Sequence, residues 1–136
     1  MQGNAGAGAS APLPLSEVTP HMADNIIEAG GFRYESRQDW AEIPEGYEFP
    51  DASGVAVDKD DNVYILNRGA HPVIVVDKDG KFVRSWGEGE FNQRAHGIHA
   101  ANDGSIWTVN DSQHCVKKYT KEGKLLLVIG KEGQAA

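Results

Sequence analysis

One stretch of this chain repeats itself, and the repeat limits the folds that the chain can adopt. Residues 53–87 align with residues 96–130 without a gap, and every aligned pair is 43 positions apart. A period of this length is typical of propellers and solenoids, in which each repeat is one supersecondary unit. The matched pairs are Gly54 and Gly97, Tyr64 and Trp107, Asn67 and Asn110, His71 and His114, Val73 and Val116, and Gly87 and Gly130.

Each repeat is predicted to form four short β-strands. β-Branched and aromatic runs alternate with turns rich in Asp, Asn, Gly and Pro, whereas the helical spacing of three to four positions is missing. Four strands in a repeat of this length predict an all-β protein with two four-stranded antiparallel blades of a β-propeller. The predicted strands are Ser53–Asp58, Val63–Asn67, Val73–Asp77, Phe82–Trp86, His96–Ala101, Ile106–Asn110, Val116–Thr120 and Leu125–Ile129.

The rest of the chain precedes the repeats. Residues 1–31 are predicted to be a disordered or short-helical extension, because a Gly- and Ala-rich start is followed by a possible short helix that stops at Gly30-Gly31. Residues 32–50 are predicted to hold a lead-in strand, Phe32–Trp40, and a turn-rich linker. Blade one then covers residues 51–94 and blade two residues 95–136.

Composition argues against several classes of function. The thirteen Lys and Arg residues are scattered among twenty Asp and Glu residues, with a formal net charge of −7, which argues against a nucleic-acid-binding face. No apolar run is long enough to span a membrane and no secretory signal is recognisable, so we expect no membrane partner and leave the compartment open. The single cysteine, Cys115, excludes an internal disulfide, and its place at the head of a strand predicts a buried structural thiol.

Polar residues that differ between the repeats are the candidates for a site. His71 and His114 occupy equivalent positions in the two repeats, so they are assigned to the turn before the third strand. At the position equivalent to Arg68 the second repeat has Asp111, and at the position equivalent to His96 the first repeat has a serine. In a propeller the first strand of a blade lines the channel, and the loop after the second strand lies at the end where the first begins. Arg68 and His96 are therefore predicted to border one mouth of the channel. A lone histidine at a strand start is more often a surface residue than a metal ligand.

Three stretches, Ser53–Asp58, Asn67–Val73 and Ala95–His99, resemble the NHL-repeat propellers. More closely, the chain from about residue 47 to 136 resembles the opening blades of the peptidyl-α-hydroxyglycine α-amidating lyase family (peptidylamidoglycolate lyase), with Arg-Gly-x-His and His-Gly-Ile as its most specific motifs. The resemblance implies a six-bladed propeller with a catalytic zinc on three channel histidines and a structural calcium deeper in the channel. It implies peptide amidation, in which a carbon-nitrogen lyase splits a peptide ending in α-hydroxyglycine into the peptide amide and glyoxylate.

The resemblance assigns roles to four residues of this chain. Arg68 matches the catalytic arginine and His96 the first zinc-ligand histidine, while Val55 and Ile98 match residues whose backbone carbonyls face the calcium. These roles suit the chemistry, because imidazole binds zinc, carbonyl oxygens bind calcium and a guanidinium binds a carboxylate or an oxyanion.

The other zinc histidines, the catalytic tyrosine and the acidic calcium ligand would lie in further blades. Because a catalytic zinc takes about three protein ligands, this chain alone is expected to be inactive and to hold neither metal tightly. It would be a fragment of a longer enzyme, a shortened paralogue or a two-blade unit that assembles. The alternative function is a non-catalytic NHL scaffold that binds protein or peptide.

Assembly is suggested by the number of repeats. Two blades are predicted to expose apolar faces on both sides, and fewer than about three repeats are rarely stable. Three copies would supply six blades, so a trimer could close a ring in which three His96 side chains converge on the axis. Relatives in the resembled family are often secreted or extracytoplasmic, but nothing in this sequence decides the compartment.

Overall fold

A computed structural model describes residues 25–135, in which all ten regular elements are β-strands. They form one two-stranded sheet and two four-stranded antiparallel sheets. No helix occurs among residues 25–135, and so none there is long and apolar enough to cross a membrane. The predicted all-β class is confirmed. The described residues divide into two units, residues 25–38 and residues 39–135.

The described part of the first unit is a hairpin. Strand β1, Ile26–Ala29, pairs antiparallel with β2, Phe32–Glu35, through Gly30-Gly31, and both glycines have positive φ angles of 59° and 82°. The short helix predicted to end at these glycines is wrong over Ile26–Ala29, because two left-handed residues close a tight hairpin. The strand predicted over Phe32–Trp40 ends at Glu35. The predicted disordered extension, and the start of the predicted helix, lie outside the described residues.

The second unit contains the two four-stranded sheets, each a meander in which strands that follow one another in sequence are paired. All eight strands predicted from the repeat are confirmed, with every end within one residue. Sheet I consists of β3 (Ala52–Val57), β4 (Val63–Asn67), β5 (Val73–Val76) and β6 (Phe82–Trp86). Sheet II consists of β7 (Ala95–Ala100), β8 (Ile106–Asn110), β9 (Cys115–Tyr119) and β10 (Leu125–Ile129).

The two sheets match in detail as well as in order. The pairing of β3 with β4 shifts register between Ala52 and Gly54, and the pairing of β7 with β8 shifts between Ala95 and Gly97, 43 positions later. The first strands of the sheets lie side by side, since a Cβ atom on Gly54 would come within 3.3 Å of Cγ2 of Ile98. A glycine is needed at this close approach.

Sheets I and II pack against each other through one face each. We call the face of a sheet that is turned towards later residues its downstream face, and the opposite face its upstream face. The aromatic rings of Trp86 in sheet I and Tyr119 in sheet II have centroids 5.0 Å apart at the centre of this contact. Tyr64 and Trp86 are both buried between the sheets. The buried cluster contains Tyr64, Leu66, Val73, Val75, Trp86, Ala95, Ile106 and Tyr119.

The upstream face of sheet I is covered by the segment 40–49, which we call the lead-in segment. Ile65, Ile74 and Val76 are buried there against its apolar side chains, Trp40, Ala41, Ile43, Tyr47 and Phe49. The prediction that the sheets expose apolar faces on both sides is therefore wrong for this side. Four large apolar side chains in a turn-rich segment suffice to replace a neighbouring sheet.

A tryptophan covers a hairpin glycine in each sheet. A Cβ atom on Gly123 would lie 2.5 Å from Cγ of Trp86, and a Cβ atom on Gly80 would lie 1.9 Å from the carbonyl oxygen of Trp40. Both glycines have positive φ, at 88° and 85°. Against sheet I, Trp40 thus takes the place that Trp86 takes against sheet II.

Replacing Gly80 should loosen the lead-in segment. In Gly80→Ala the methyl group collides with the Trp40 backbone, so we expect a loss of roughly 3 kcal/mol in unfolding free energy, measured by urea denaturation. The matched control is Gly89→Ala, because Gly89 has a positive φ of 78° and no atom within 4 Å of an added Cβ. It should lose only the roughly 1 kcal/mol of left-handed strain. Equal losses of unfolding free energy in the two variants would contradict the close contact between Gly80 and Trp40.

Candidate functional site

Arg68 lies at the end of sheet I where β3 begins and β4 ends. Its Nη1 donates a hydrogen bond to Oδ2 of Asp51 at 2.6 Å, and its backbone N–H donates to the Asp51 carbonyl oxygen at 3.1 Å. Its Nε donates to the carbonyl oxygen of Ala95, the first residue of β7, at 3.1 Å. Because His96 follows Ala95, the structure brings the two residues singled out in the sequence to the same end of the two sheets. The His96 side chain is exposed there.

The same kind of ion pair recurs in sheet II with its charges exchanged. Arg94 stands 43 positions after Asp51, and Asp111 stands 43 positions after Arg68. Arg94 Nε donates to Oδ1 of Asp111 at 2.9 Å, and Arg94 Nη2 donates to Oδ2. Each repeat therefore has one arginine and one aspartate at this end. The aspartate comes first in the chain in the first repeat, and the arginine comes first in the second repeat.

The exchange explains structurally why the first repeat has Arg68 where the second has Asp111, because each residue pairs with an oppositely charged partner in its own repeat. The sequence alignment missed it, because the partner positions 51 and 94 lie just outside the stretch 53–87 that aligns without a gap. A comparison of oppositely charged residues in the flanking turns is the signal that would have found it. The catalytic role of Arg68 stays a prediction.

The end of sheet II is lined by polar groups. A hydrogen bond from Arg94 holds the pKa of Asp111 below its usual range, and the nearby charge of His96 acts in the same direction. Asn110 donates from Nδ2 to Oδ1 of Asn92 at 3.0 Å. Arg68 and His96 offer a guanidinium and an imidazole at this surface, which suits recognition of an anion such as a carboxylate, whereas the guanidinium of Arg94 is engaged by both oxygens of Asp111.

The histidines do not converge on a metal site. Among residues 25–135, no group of three or more His, Cys, Asp or Glu side chains is placed to hold a metal ion. His71 stacks on the ring of Tyr47 with centroids 3.8 Å apart, and its Nδ1 lies 3.0 Å from Oε1 of Glu88. His114 occupies a turn with a positive φ of 54°. A donor set of His96 alone does not fit a catalytic zinc, which takes about three protein ligands.

Val55 and Ile98 lie on β3 and β7, the two strands that run side by side. Val55 is exposed and Ile98 is half-buried. Their backbone carbonyls are oxygen donors of the kind that calcium prefers, but a calcium ion takes six to eight such ligands. The calcium role of these two residues stays a prediction.

Searches against protein-family models and among curated proteins found no match for this chain. The likeness to the amidating lyases therefore rests on the two short motifs around Arg68 and His96.

A second polar cluster lies at the opposite end of the sheets, around the β3–β4 turn, where the sequence pattern predicts only a turn. The buried carboxylate of Asp58 accepts hydrogen bonds from the backbone of Asp60 at 2.9 Å, from Asn62 at 3.0 to 3.2 Å and from the Tyr64 hydroxyl at 3.2 Å. Lys121 of the β9–β10 turn lies 3.3 Å from Oδ2 of Asp58. The cluster ties the β3–β4 turn of sheet I to sheet II.

An open groove of about 470 Å³ lies beside this cluster. Two of the three lysines that line it are paired, since Lys118 contacts Asp103 at 2.9 Å and Lys121 contacts both Asp58 and Asp60, and Lys59 is the third. The charges of Lys118 and Lys121 are therefore satisfied within the chain.

Removing Arg68 should destabilise the contact between the sheets. In Arg68→Ala the Ala95 carbonyl oxygen and Asp51 both lose their donor, and we expect a loss of about 1–2 kcal/mol in unfolding free energy, measured in urea. The control Arg94→Ala removes a pair that lies at the surface of sheet II, and its effect should be smaller. A larger loss in Arg94→Ala than in Arg68→Ala would contradict this account.

The Asp58 cluster predicts a dependence of stability on pH. Burial raises the pKa of Asp58, but hydrogen bonds from Asn62, Asp60 and Lys121 outweigh it and lower the pKa from 3.8 to about 2. The folded state thus favours the charged carboxylate, which contributes about 2 kcal/mol above pH 4, a contribution that is lost as the pH falls towards 2. The difference in unfolding free energy between the wild type and Asp58→Asn should shrink over this range in urea titrations. A difference that is constant from pH 6 to pH 2.5 would contradict it.

Proposed function

We propose that sheets I and II are two consecutive blades of an NHL-type β-propeller. The constant offset between the sheets, their matched register shifts and the side-by-side placement of β3 and β7 support the proposal. In this arrangement β3 and β7 are the strands that line the channel. The six-bladed ring is what the resemblance to the amidating lyases implies.

We further propose that the chain is a segment of a peptidyl-α-hydroxyglycine α-amidating lyase-like propeller. The observation that carries this proposal is the hydrogen bond from Arg68 Nε to the Ala95 carbonyl oxygen, which sets the arginine beside the strand that begins with Ala95 and His96. Among the described residues, Arg68 Nε and Nη1 have partners and Nη2 has none. The free edge of the guanidinium would bind the carboxylate of a peptide that ends in α-hydroxyglycine.

Recognition and catalysis are separate matters for this chain. The described residues do not fit the zinc of the resembled family, so no step of bond cleavage is assigned to them. What they supply is a held guanidinium and an exposed imidazole, which bind and orient an anionic group. We therefore expect the isolated chain to be inactive and to hold neither zinc nor calcium tightly.

The second candidate function is a non-catalytic scaffold that binds protein or peptide. It is favoured by the structural role of Arg68, which donates hydrogen bonds to Asp51 beside sheet I and to the Ala95 carbonyl oxygen of sheet II and so has a reason to be present without catalysis. A scaffold would recognise a peptide through its side chains, whereas a lyase-like site would recognise the terminal carboxylate.

A binding experiment separates the two functions. The lyase-like site should bind a short peptide that ends in α-hydroxyglycine more tightly than the same peptide as its amide, by calorimetry, and Arg68→Ala should weaken this preference at least about fivefold. Arg94→Ala is the matched control and should keep it, with circular dichroism confirming the fold of both variants. Equal binding of the two peptides would support the scaffold and overturn the lyase-like proposal.

Activity and metal content test the second part of the proposal. After dialysis against a chelator and addition of zinc, elemental analysis should find clearly less than one zinc per chain, with no difference in His96→Ala, because one imidazole cannot complete the ligand shell. Glyoxylate release from the α-hydroxyglycine peptide should not exceed that of His96→Ala. Stoichiometric zinc that His96→Ala abolishes, or glyoxylate release that depends on His96, would show that this chain forms a complete site.

A further inference from the structure

Arg68 and Arg94 lie at the same end of the two sheets, but they contact their aspartates in different ways. Arg94 donates to both carboxylate oxygens of Asp111, through Nε and Nη2. Arg68 donates to one oxygen of Asp51, through Nη1 at 2.6 Å. The pair in the second repeat is therefore a two-point contact, whereas the side chains in the first repeat share a single hydrogen bond.

The guanidinium of Arg68 is anchored without help from the Asp51 side chain. Its Nε donates to the carbonyl oxygen of Ala95 at 3.1 Å, and Ala95 is a buried residue at the start of β7. Because Nε holds the group to sheet II, the two terminal nitrogens, Nη1 and Nη2, are the part of the guanidinium that remains for other partners.

The terminal nitrogens of a guanidinium form a fork that matches the two oxygens of a carboxylate. In Arg68 one prong, Nη1, is occupied by Oδ2 of Asp51, and Nη2 has no partner among the described residues. The Asp51 side chain is 54% exposed. Half of the fork is thus covered by an exposed carboxylate, which is the chemical group that the proposed site would bind.

This cover can be exchanged without a change in the fold. An exposed ion pair gains little free energy over its separated, hydrated groups. The backbone of Asp51 is fixed independently, since its carbonyl oxygen accepts a hydrogen bond from the Arg68 N–H at 3.1 Å. Only the side-chain torsions of Asp51 need to change to free Nη1, whereas both contacts between Arg94 and Asp111 would have to break to free that guanidinium.

We propose that Asp51 masks the Arg68 site, as an internal carboxylate that an anionic ligand must displace. When the Asp51 side chain turns away, Nη1 and Nη2 are both free to bind the two oxygens of one ligand carboxylate. The mask lowers the affinity for carboxylates and leaves the position of the guanidinium unchanged, because Nε stays on the Ala95 carbonyl oxygen. This inference rests on the proposed binding of a carboxylate by Arg68.

Calorimetry with the α-hydroxyglycine peptide tests the mask in the whole 136-residue chain. Asp51→Asn keeps the shape of the side chain and removes its charge, and Asp51→Ala removes the acceptor as well. We expect the peptide to bind about two- to fivefold more tightly to Asp51→Ala than to the wild type, the range set by the free energy of an exposed ion pair, with Asp51→Asn in between. The affinity for the same peptide as its amide should not change. Circular dichroism checks the fold of each variant.

The matched control is Asp60→Asn, which changes the net charge of the chain by the same amount. Asp60 is an exposed aspartate that pairs with Lys121 at the opposite end of the sheets. The six residues of β3 separate the two ends by roughly 20 Å, and charges in physiological salt are screened within about 8 Å. Asp60→Asn should therefore bind the peptide as the wild type does.

Unchanged or weaker binding to Asp51→Ala would overturn the mask, and weaker binding would show that Asp51 orients Arg68 instead. Equal tightening in Asp60→Asn, or of the amide peptide, would also overturn it. The failure of the proposed function gives a different result. Binding to Asp51→Ala without a preference for the carboxylate in the wild type would support the mask and contradict recognition by the intact chain, whereas no binding to either protein would overturn both.

Discussion

The contact between the downstream face of one sheet and the upstream face of the next is the interaction on which the structure depends. A four-stranded meander cannot bury its own faces, so each repeat needs a neighbour. Sheet I has two, since sheet II covers one face and the lead-in segment covers the other. With about 1.5–3 kcal/mol for each large apolar side chain removed from water, Leu66 and Trp86 alone outweigh any of the surface ion pairs.

Charge at the ends of the sheets follows the repeat in a less obvious way. The exchange of Asp51 and Arg68 for Arg94 and Asp111 conserves the pairing while both residue types change. A charged residue that differs between two repeats is therefore weak evidence for a catalytic role when its ion-pair partner also differs and carries the opposite charge. Arg68 keeps a functional interest because it also reaches the strand that carries His96.

These observations separate the binding role of the proposed site from its chemistry. The proposed site consists of a guanidinium and an imidazole at one end of two neighbouring strands, β3 and β7. A catalytic zinc needs about three protein ligands close together. Among the described residues the histidines do not form such a group, and His71, for example, stacks on the ring of Tyr47. The same surface suits a scaffold that binds peptides.

The sequence by itself determined the all-β class and all eight strands of the two sheets, because alternation, β-branched runs and turn residues are local signals. It did not determine the hairpin at Gly30-Gly31, since a helix stop and a tight hairpin use the same left-handed glycines. Only the tertiary structure placed Trp40 over Gly80, Asp51 on Arg68 and Asp58 near Lys121. These partners are far apart in the chain, and a contact between distant residues leaves no periodic pattern in either segment.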